Sequence, residues 1–163
     1  MARNKSADTA NDLIAAAKTR EFKIATAESC TGGLVAASIT AIPGASAVLE
    51  RGFVTYSNEA KTEMLGVPAE LIERRGAVSQ EVALAMVDGA LKNSRADLAV
   101  AITGIAGPDG GSEQKPVGLV HIAAAKRGGA RLHEEHRFGD IGRNKVQAES
   151  AVAALRLLQK LLD

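Results

Sequence analysis

Aromatic residues are nearly missing from this chain. They are 2% of its 163 residues: no tryptophan, one tyrosine (Tyr56) and three phenylalanines (Phe22, Phe53, Phe138). Single-stranded nucleic acid is held largely by bases stacked on aromatic rings, so composition speaks against that partner. An excess of one charge is missing too. Twenty Lys and Arg stand against 19 Asp and Glu, a net charge of +1, without the basic bias that a nucleic-acid-binding domain needs. Cysteine occurs once, at Cys30, which excludes an internal disulfide and any zinc site of several thiolates. No apolar run approaches the roughly 18 residues of a membrane-spanning helix. The opening Met1-Ala-Arg-Asn-Lys-Ser6 has no apolar signal-peptide core. The expectation is a cytoplasmic protein that binds neither nucleic acid nor membrane.

What remains is ordinary globular material, 46% apolar and 24% charged, enough for one domain over residues 1–163. The spacing of Leu13, Ile14 and Ala17 predicts a helix over 8–20. Residues 22–27 and 97–103 are short apolar runs that read as buried strands, the second a central one. A helix is expected over about 31–41, stopped by Pro43-Gly44, and a strand over 49–56. Asn58 is expected to cap a helix through Met64, Pro68 to open one through Arg74, and Ser79 one to about Asn93. Gly128-Gly129 between 117–125 and 130–138 predicts a hairpin, its second strand near an edge. A last helix covers roughly 143–161. Strands alternating with helices, then a hairpin, indicate a mixed sheet covered by helices.

The segment Thr26-Ala-Glu-Ser-Cys-Thr-Gly-Gly33 is the most informative. It sets hydroxyls, a thiol and two glycines between a strand and a helix, where sites form in α/β sheets. A hydroxyl there could attack a carbonyl with unpaired helix amides nearby as oxyanion donors. The bland alternative is that Ser29 or Thr31 merely caps the helix. Cys30 competes with Ser29, because helix N-termini lower thiol pKa values; without a histidine in the local sequence the hydroxyl is preferred. Tyr56 stands five positions before Lys61, which lets both face one cleft. A lysine can take a serine proton only when neutral, which burial can bring about, and a phenol could orient it or relay the proton.

The run Thr103 to Pro116 holds four glycines and two prolines after a buried strand. Gly104, Gly107 and Gly110 are spaced as GxxGxxG, neither a dinucleotide fingerprint nor a Walker loop, and suit a shaped substrate loop. Arg143 and Lys145 put two cations at a helix start, where they oppose the dipole unless an anion binds. His133 and His136 fall on opposite faces of a strand, His121 is expected to be packed, and the three histidines form no site. Nothing in the pattern suggests a metal or a cofactor.

In order along the chain, Ala27-Glu-Ser-Cys-Thr-Gly-Gly33, Gly52-Phe-Val-Thr-Tyr-Ser-Asn-Glu-Ala-Lys61, Gly76-Ala-Val-Ser79, Gly104-Ile-Ala-Gly-Pro-Asp-Gly-Gly111 and Lys115-Pro-Val-Gly118 resemble the CinA C-terminal domain family. The resemblance spans nearly the whole chain and implies a compact α/β/α fold. Stand-alone members of that family are amidohydrolases that convert nicotinamide mononucleotide and water to nicotinate mononucleotide and ammonia. It further implies Ser29 as nucleophile, Tyr56 and Lys61 as its proton-handling partners, and a pocket wall from the glycine loop. Substrate contacts are expected from Cys30, Thr31, Gly32 and Gly33, from Thr103, Gly104 and Gly107, and from Arg143 and Lys145. Where the family pattern places its first arginine this chain has Ile141, with arginine at Arg143 and the later basic residue at Lys145, leaving open which cation meets the substrate phosphate. The pyrophosphatase activity of the amino-terminal domain of longer members is not expected here. Two rivals stand beside the enzyme: a non-catalytic nucleotide-binding or regulatory module tied to competence or DNA damage, and a structural subunit that acts only with a partner; the apolar last helix could bury such an interface, and a homo-oligomer is expected.

Overall fold

The computed structural model describes residues 4–163. Strands β1 (Ile24–Glu28), β2 (Leu49–Val54), β3 (Leu98–Gly104), β4 (Leu119–Lys126) and β5 (Arg131–Arg137) form one sheet in the order β2-β1-β3-β4-β5. β1 pairs in parallel with β2 and β3, whereas β3–β4 and β4–β5 are antiparallel. The expected mixed sheet is present, with β3 at its centre and β5 at an edge. Helices α1 (Lys5–Thr19), α2 (Leu34–Thr40) and α6 (Arg143–Lys160) cover one face. Helices α3 (Asn58–Leu65), α4 (Ala69–Arg75) and α5 (Gln80–Lys92) cover the other.

Strand periodicity sorts the core into two unlike halves. Toward α1, α2 and α6 point Ile24, Leu98, Val100, Ile102, Val120 and Ile122, each fully buried. A large aliphatic side chain contributes about 1.5–3 kcal/mol on burial, so this half carries most of the transfer free energy of the sheet. Toward α5 point Ala25, Ala27, Ala99, Ala101, Ala123 and Ala125. Small side chains let α5 lie close to the strands, where Val82, Met86 and Val87 fill the space from the helix side. Gly89 extends the same logic to the neighbouring helix: a Cβ there would lie 1.9 Å from the Leu65 carbonyl oxygen, so α3 and α5 meet backbone to backbone.

Element ends differ from the sequence expectations where caps decide them. Ser57, not Asn58, caps α3, its hydroxyl accepting from the Ala60 amide at 3.0 Å. The strand expected over 49–56 stops at Val54, which frees Thr55 and Tyr56 for other work. Both apolar sides of α6 are consumed within the chain: Ala151, Leu155, Leu157 and Leu158 are buried and Leu161 packs on the same core. The apolar face that suggested an oligomer is therefore covered internally. No helix among the described residues is long and apolar enough to cross a membrane.

Candidate active site

Two consecutive residues at the end of β1 part company because strand side chains alternate. Glu28 turns toward α2 and Ser29 toward α3. The chain then leaves the sheet abruptly. The Ser29 amide donates to Ile102 O at 2.9 Å, a last bond to β3, and the Gly32 amide donates to Ser29 O at 3.0 Å. Gly32 (φ 58°) and Gly33 (φ 107°) are left-handed, a conformation that costs other residues energy, so the turn depends on this glycine pair. As a result α2 begins at Leu34 rather than near residue 31.

The amides of α2 are not free for a ligand, contrary to the sequence expectation. The buried Glu28 carboxylate accepts from Thr31 Oγ1 (2.7 Å), Val35 N (2.8 Å) and Ala36 N (3.1 Å). Thr31, expected to touch substrate, is buried with its hydroxyl spent on Glu28. Of the expected oxyanion donors the Gly32 amide is engaged, which leaves those of Thr31 and Gly33 without a hydrogen-bond acceptor among the described residues.

Lys61 comes from the first turns of α3 and is 1% exposed. Its Nζ lies 3.0 Å from Ser29 Oγ and 3.0 Å from Thr55 O, with Tyr56 O at 3.3 Å and Ser57 O at 3.4 Å. The carbonyls belong to the stretch freed by the early end of β2. Burial, which penalises the ammonium, holds the Lys61 pKa below the ordinary lysine range, with Glu59 among the weaker opposing influences. A neutral amine has two N–H donors for the carbonyls and one lone pair, which it can turn to the serine hydroxyl. That arrangement can accept the Ser29 proton, and the same carbonyls then receive the N–H groups of the ammonium.

Tyr56 sits differently from the expectation. Its phenol touches neither Ser29 nor Lys61; only its backbone carbonyl reaches the amine. The ring is 58% exposed and its oxygen accepts from Arg143 Nη2 at 2.7 Å. Arg143 also donates from Nη1 to Gly107 O at 2.7 Å, so the first residue of α6 joins the glycine loop to the tyrosine. Together with Ser29, Cys30, Lys61, Thr103 and Gly104 these residues line a cleft of about 290 Å³, which Asp109 also borders. Lys145 is exposed and does not line it. Thr103 is buried and uses its hydroxyl on Ala77 O at 2.8 Å, which ties the end of β3 to the segment before α5. A larger cleft, of about 470 Å³, lies between α3 and α4 against Asn58, Thr62 and Ile72, and is lined by no serine, cysteine, histidine or lysine.

Cys30 is 5% exposed, and its thiol is pushed up to about 12, chiefly by burial. Loss of solvation outweighs the helix-end effect that would favour a thiolate, so the hydroxyl is the available nucleophile. Sequence reasoning missed Glu28 and Gln147. Gln147 Nε2 donates to Cys30 O at 3.0 Å from one turn into α6. Only the polarity of Glu28 inside a buried strand could have signalled the first; the second lies 117 positions away and left no local sign. The histidines also met in a way their spacing hid. Hairpin register sets His133 diagonal to His121, with Nδ1 of His121 2.9 Å from Nε2 of His133 and the rings stacked. His133 and His136 do fall on opposite faces, beside Ala123 and Val120. Among the described residues no group of three or more His, Cys, Asp or Glu side chains is placed to hold a metal ion.

Comparison with known proteins places the chain. The model of the CinA C-terminal domain matches residues 6–162. The nicotinamide-nucleotide amidohydrolase PncC of Escherichia coli K12 is 54% identical over 144 residues, covering 88% of this chain and 86% of that protein. A CinA-like protein of Akkermansia muciniphila is 61% identical over 110 residues, 68% of this chain. The chain spans only 27% of that relative's length, and 34% of a competence-damage inducible protein of Caldicellulosiruptor bescii. Among solved structures, the competence/damage inducible protein CihA of Agrobacterium tumefaciens superposes with a TM-score of 0.96 at 50% identity, over 98% of this chain and 96% of that one. The chain belongs to the CinA C-terminal domain family.

Proposed function

We propose that this CinA C-terminal domain is an amidohydrolase that converts nicotinamide mononucleotide and water to nicotinate mononucleotide and ammonia. The observation that carries the reading is the buried contact of 3.0 Å between Lys61 Nζ and Ser29 Oγ. The name of the Escherichia coli relative, which matches this chain over most of both lengths, supplies the substrate. Lys61 takes the Ser29 proton as Oγ attacks the carboxamide carbon. We assign the oxyanion to the turn after Ser29, whose Thr31 and Gly33 amides have no hydrogen-bond acceptor among the described residues. The tetrahedral intermediate collapses as the Lys61 ammonium gives its proton to the departing amine, which leaves as ammonia. Water then loses a proton to Lys61 and attacks the acyl-enzyme, and the serine recovers its proton as nicotinate is released. The nicotinamide ring of the nucleotide is a pyridinium cation, so its arrival further disfavours a charged lysine.

Arg143 is the cation for the substrate phosphate. It lines the cleft, and its two bonds to neutral oxygens leave further N–H groups to donate. Tyr56 orients Arg143 rather than handling the serine proton. The rival reading, a binding module without catalysis, has no use for a buried amine set against a hydroxyl. Ammonia release from nicotinamide mononucleotide, nicotinamide and nicotinamide riboside is the test. Preference for the nucleotide supports the assignment; absence of ammonia from all three sinks the enzyme, and equal turnover of the nucleotide and riboside sinks the phosphate contact.

A further inference from the structure

We infer that Glu28 is a positioning residue for the nucleophile: its carboxylate, bonded across the turn to Thr31 and the first turn of α2, fixes the direction in which Ser29 presents its hydroxyl. The inference rests on Ser29 being the nucleophile.

Glu28 is 0% exposed, and no cation is paired with it among the described residues. All three of its side-chain bonds are accepted from donors, two at Oε1 and one at Oε2, which matches an ionised carboxylate. Burying a charge is costly, and a serine or asparagine at the ordinary capping position would satisfy a helix end at less desolvation. In place of such a cap this helix has Gly33, which offers no side chain. The carboxylate instead arrives from the residue before the nucleophile and binds residues three, seven and eight positions on. It thus clasps the turn from both sides of Ser29.

The clasp is itself anchored. The Glu28 carbonyl accepts from the Thr55 amide at 2.8 Å, and Thr55 in turn supplies a carbonyl to Lys61. Glu28 is therefore linked to both partners of the dyad, by its side chain to the turn that follows Ser29 and by its backbone to Thr55, whose carbonyl meets the Lys61 amine. With the α2 amides filled, an external anion has no place there, and the oxyanion is left to the turn that Glu28 shapes.

Glu28→Gln tests this. Its carboxamide must aim an N–H group at one of the donors, so the clasp loosens while size is kept. Two readouts are needed: steady-state kinetics, and the rate and final extent of Ser29 labelling by a small serine-directed phosphonofluoridate. A misaimed nucleophile lowers kcat on the order of 10²-fold with KM changed less than about twofold, because misplacement by about an ångström has that effect. Labelling slows in parallel but still reaches full stoichiometry, and the pH limb set by Lys61 stays in place. Should Glu28→Gln fail to fold, Thr31→Val removes one donor and leaves the carboxylate; labelling then slows by about tenfold, the weight of one hydrogen bond. Reduced stoichiometry with the remaining molecules reacting at the wild-type rate overturns the inference, as does a wild-type labelling rate in either folded variant. If wild-type protein is not labelled and Ser29→Ala keeps its activity, the nucleophile assignment fails and this inference falls with it.

Discussion

The inner and outer walls of the cleft are built on opposite plans. The inner wall, Ser29, Lys61 and Thr103, is at least nine-tenths buried, and its polar groups are anchored to backbone or to each other. The outer wall, Tyr56, Gly107, Asp109 and Arg143, is mostly loop and rim, joined by two bonds from one guanidinium. Chemistry needs the first plan, since a proton moves only between groups held at hydrogen-bond distance. Recognition tolerates the second, since a phosphate contact can form as substrate arrives. The difference predicts that inner-wall variants change kcat and outer-wall variants change KM.

The sharpest way to break the contrast is Ser29→Ala. Removal of the nucleophile should lower kcat by about 10⁴–10⁶-fold with binding retained, measured as ammonia release and by calorimetric titration of the nucleotide. Lys61→Arg comes next: the charge is kept but the proton cannot be released near neutral pH, so turnover should be nearly abolished. In the wild type the base is competent only when deprotonated, and its pKa is lowered from the free value of about 10.4 by burial. Activity should therefore rise with pH through that lowered pKa and level off below the pH at which a free lysine would. An active Lys61→Arg enzyme with an unshifted profile would remove Lys61 from the base role.

Arg143→Ala should act on the other wall. Loss of a charge-assisted contact weakens nucleotide binding by about 1.5–3 kcal/mol, read as a higher KM with kcat nearly kept, and leaves riboside turnover unchanged. Lys145→Ala is the internal control and should do neither. Tyr56→Phe should produce a smaller rise in KM, through a less constrained Arg143. A fall in kcat matching that of Lys61→Arg would instead return the phenol to proton transfer. Cys30→Ala should have the least effect on rate, within about threefold, with a stability loss of about 1 kcal/mol for the emptied space. Complete inactivation by it would reverse the choice of hydroxyl over thiol.

Legibility in the sequence followed the same division. The short apolar runs of β1 and β3, the glycine pair Gly32-Gly33 and the spacing of Lys61 from Tyr56 are local signals, and they led to the sheet, the turn and the dyad. Tyr56 misled because one residue carries two oxygens: spacing brings it beside Lys61, and the backbone oxygen, not the phenol, makes that contact. The free α2 amides misled because the group that fills them sits in the strand before the turn. The His121–His133 contact depends on hairpin register, and the Gln147 bond to Cys30 O on how α6 lies across the sheet. Neither follows from residue order without the assembled layers.

The six alanines under α5 have a consequence for how this protein can vary. They act as a spacer of fixed thickness, because alanine has no rotamer to adjust. Enlarging Ala99 or Ala101 to valine lifts the helix, and the lift travels in two directions. Through Gly89 it reaches α3 and hence the amine; through the segment before α5 it strains the bond from Thr103 to Ala77. The opposite face, packed with branched side chains, can absorb an exchange of isoleucine for leucine or valine by repacking. Drift among homologues should therefore collect on the α1, α2 and α6 side of the sheet, while the α5 side holds its gauge.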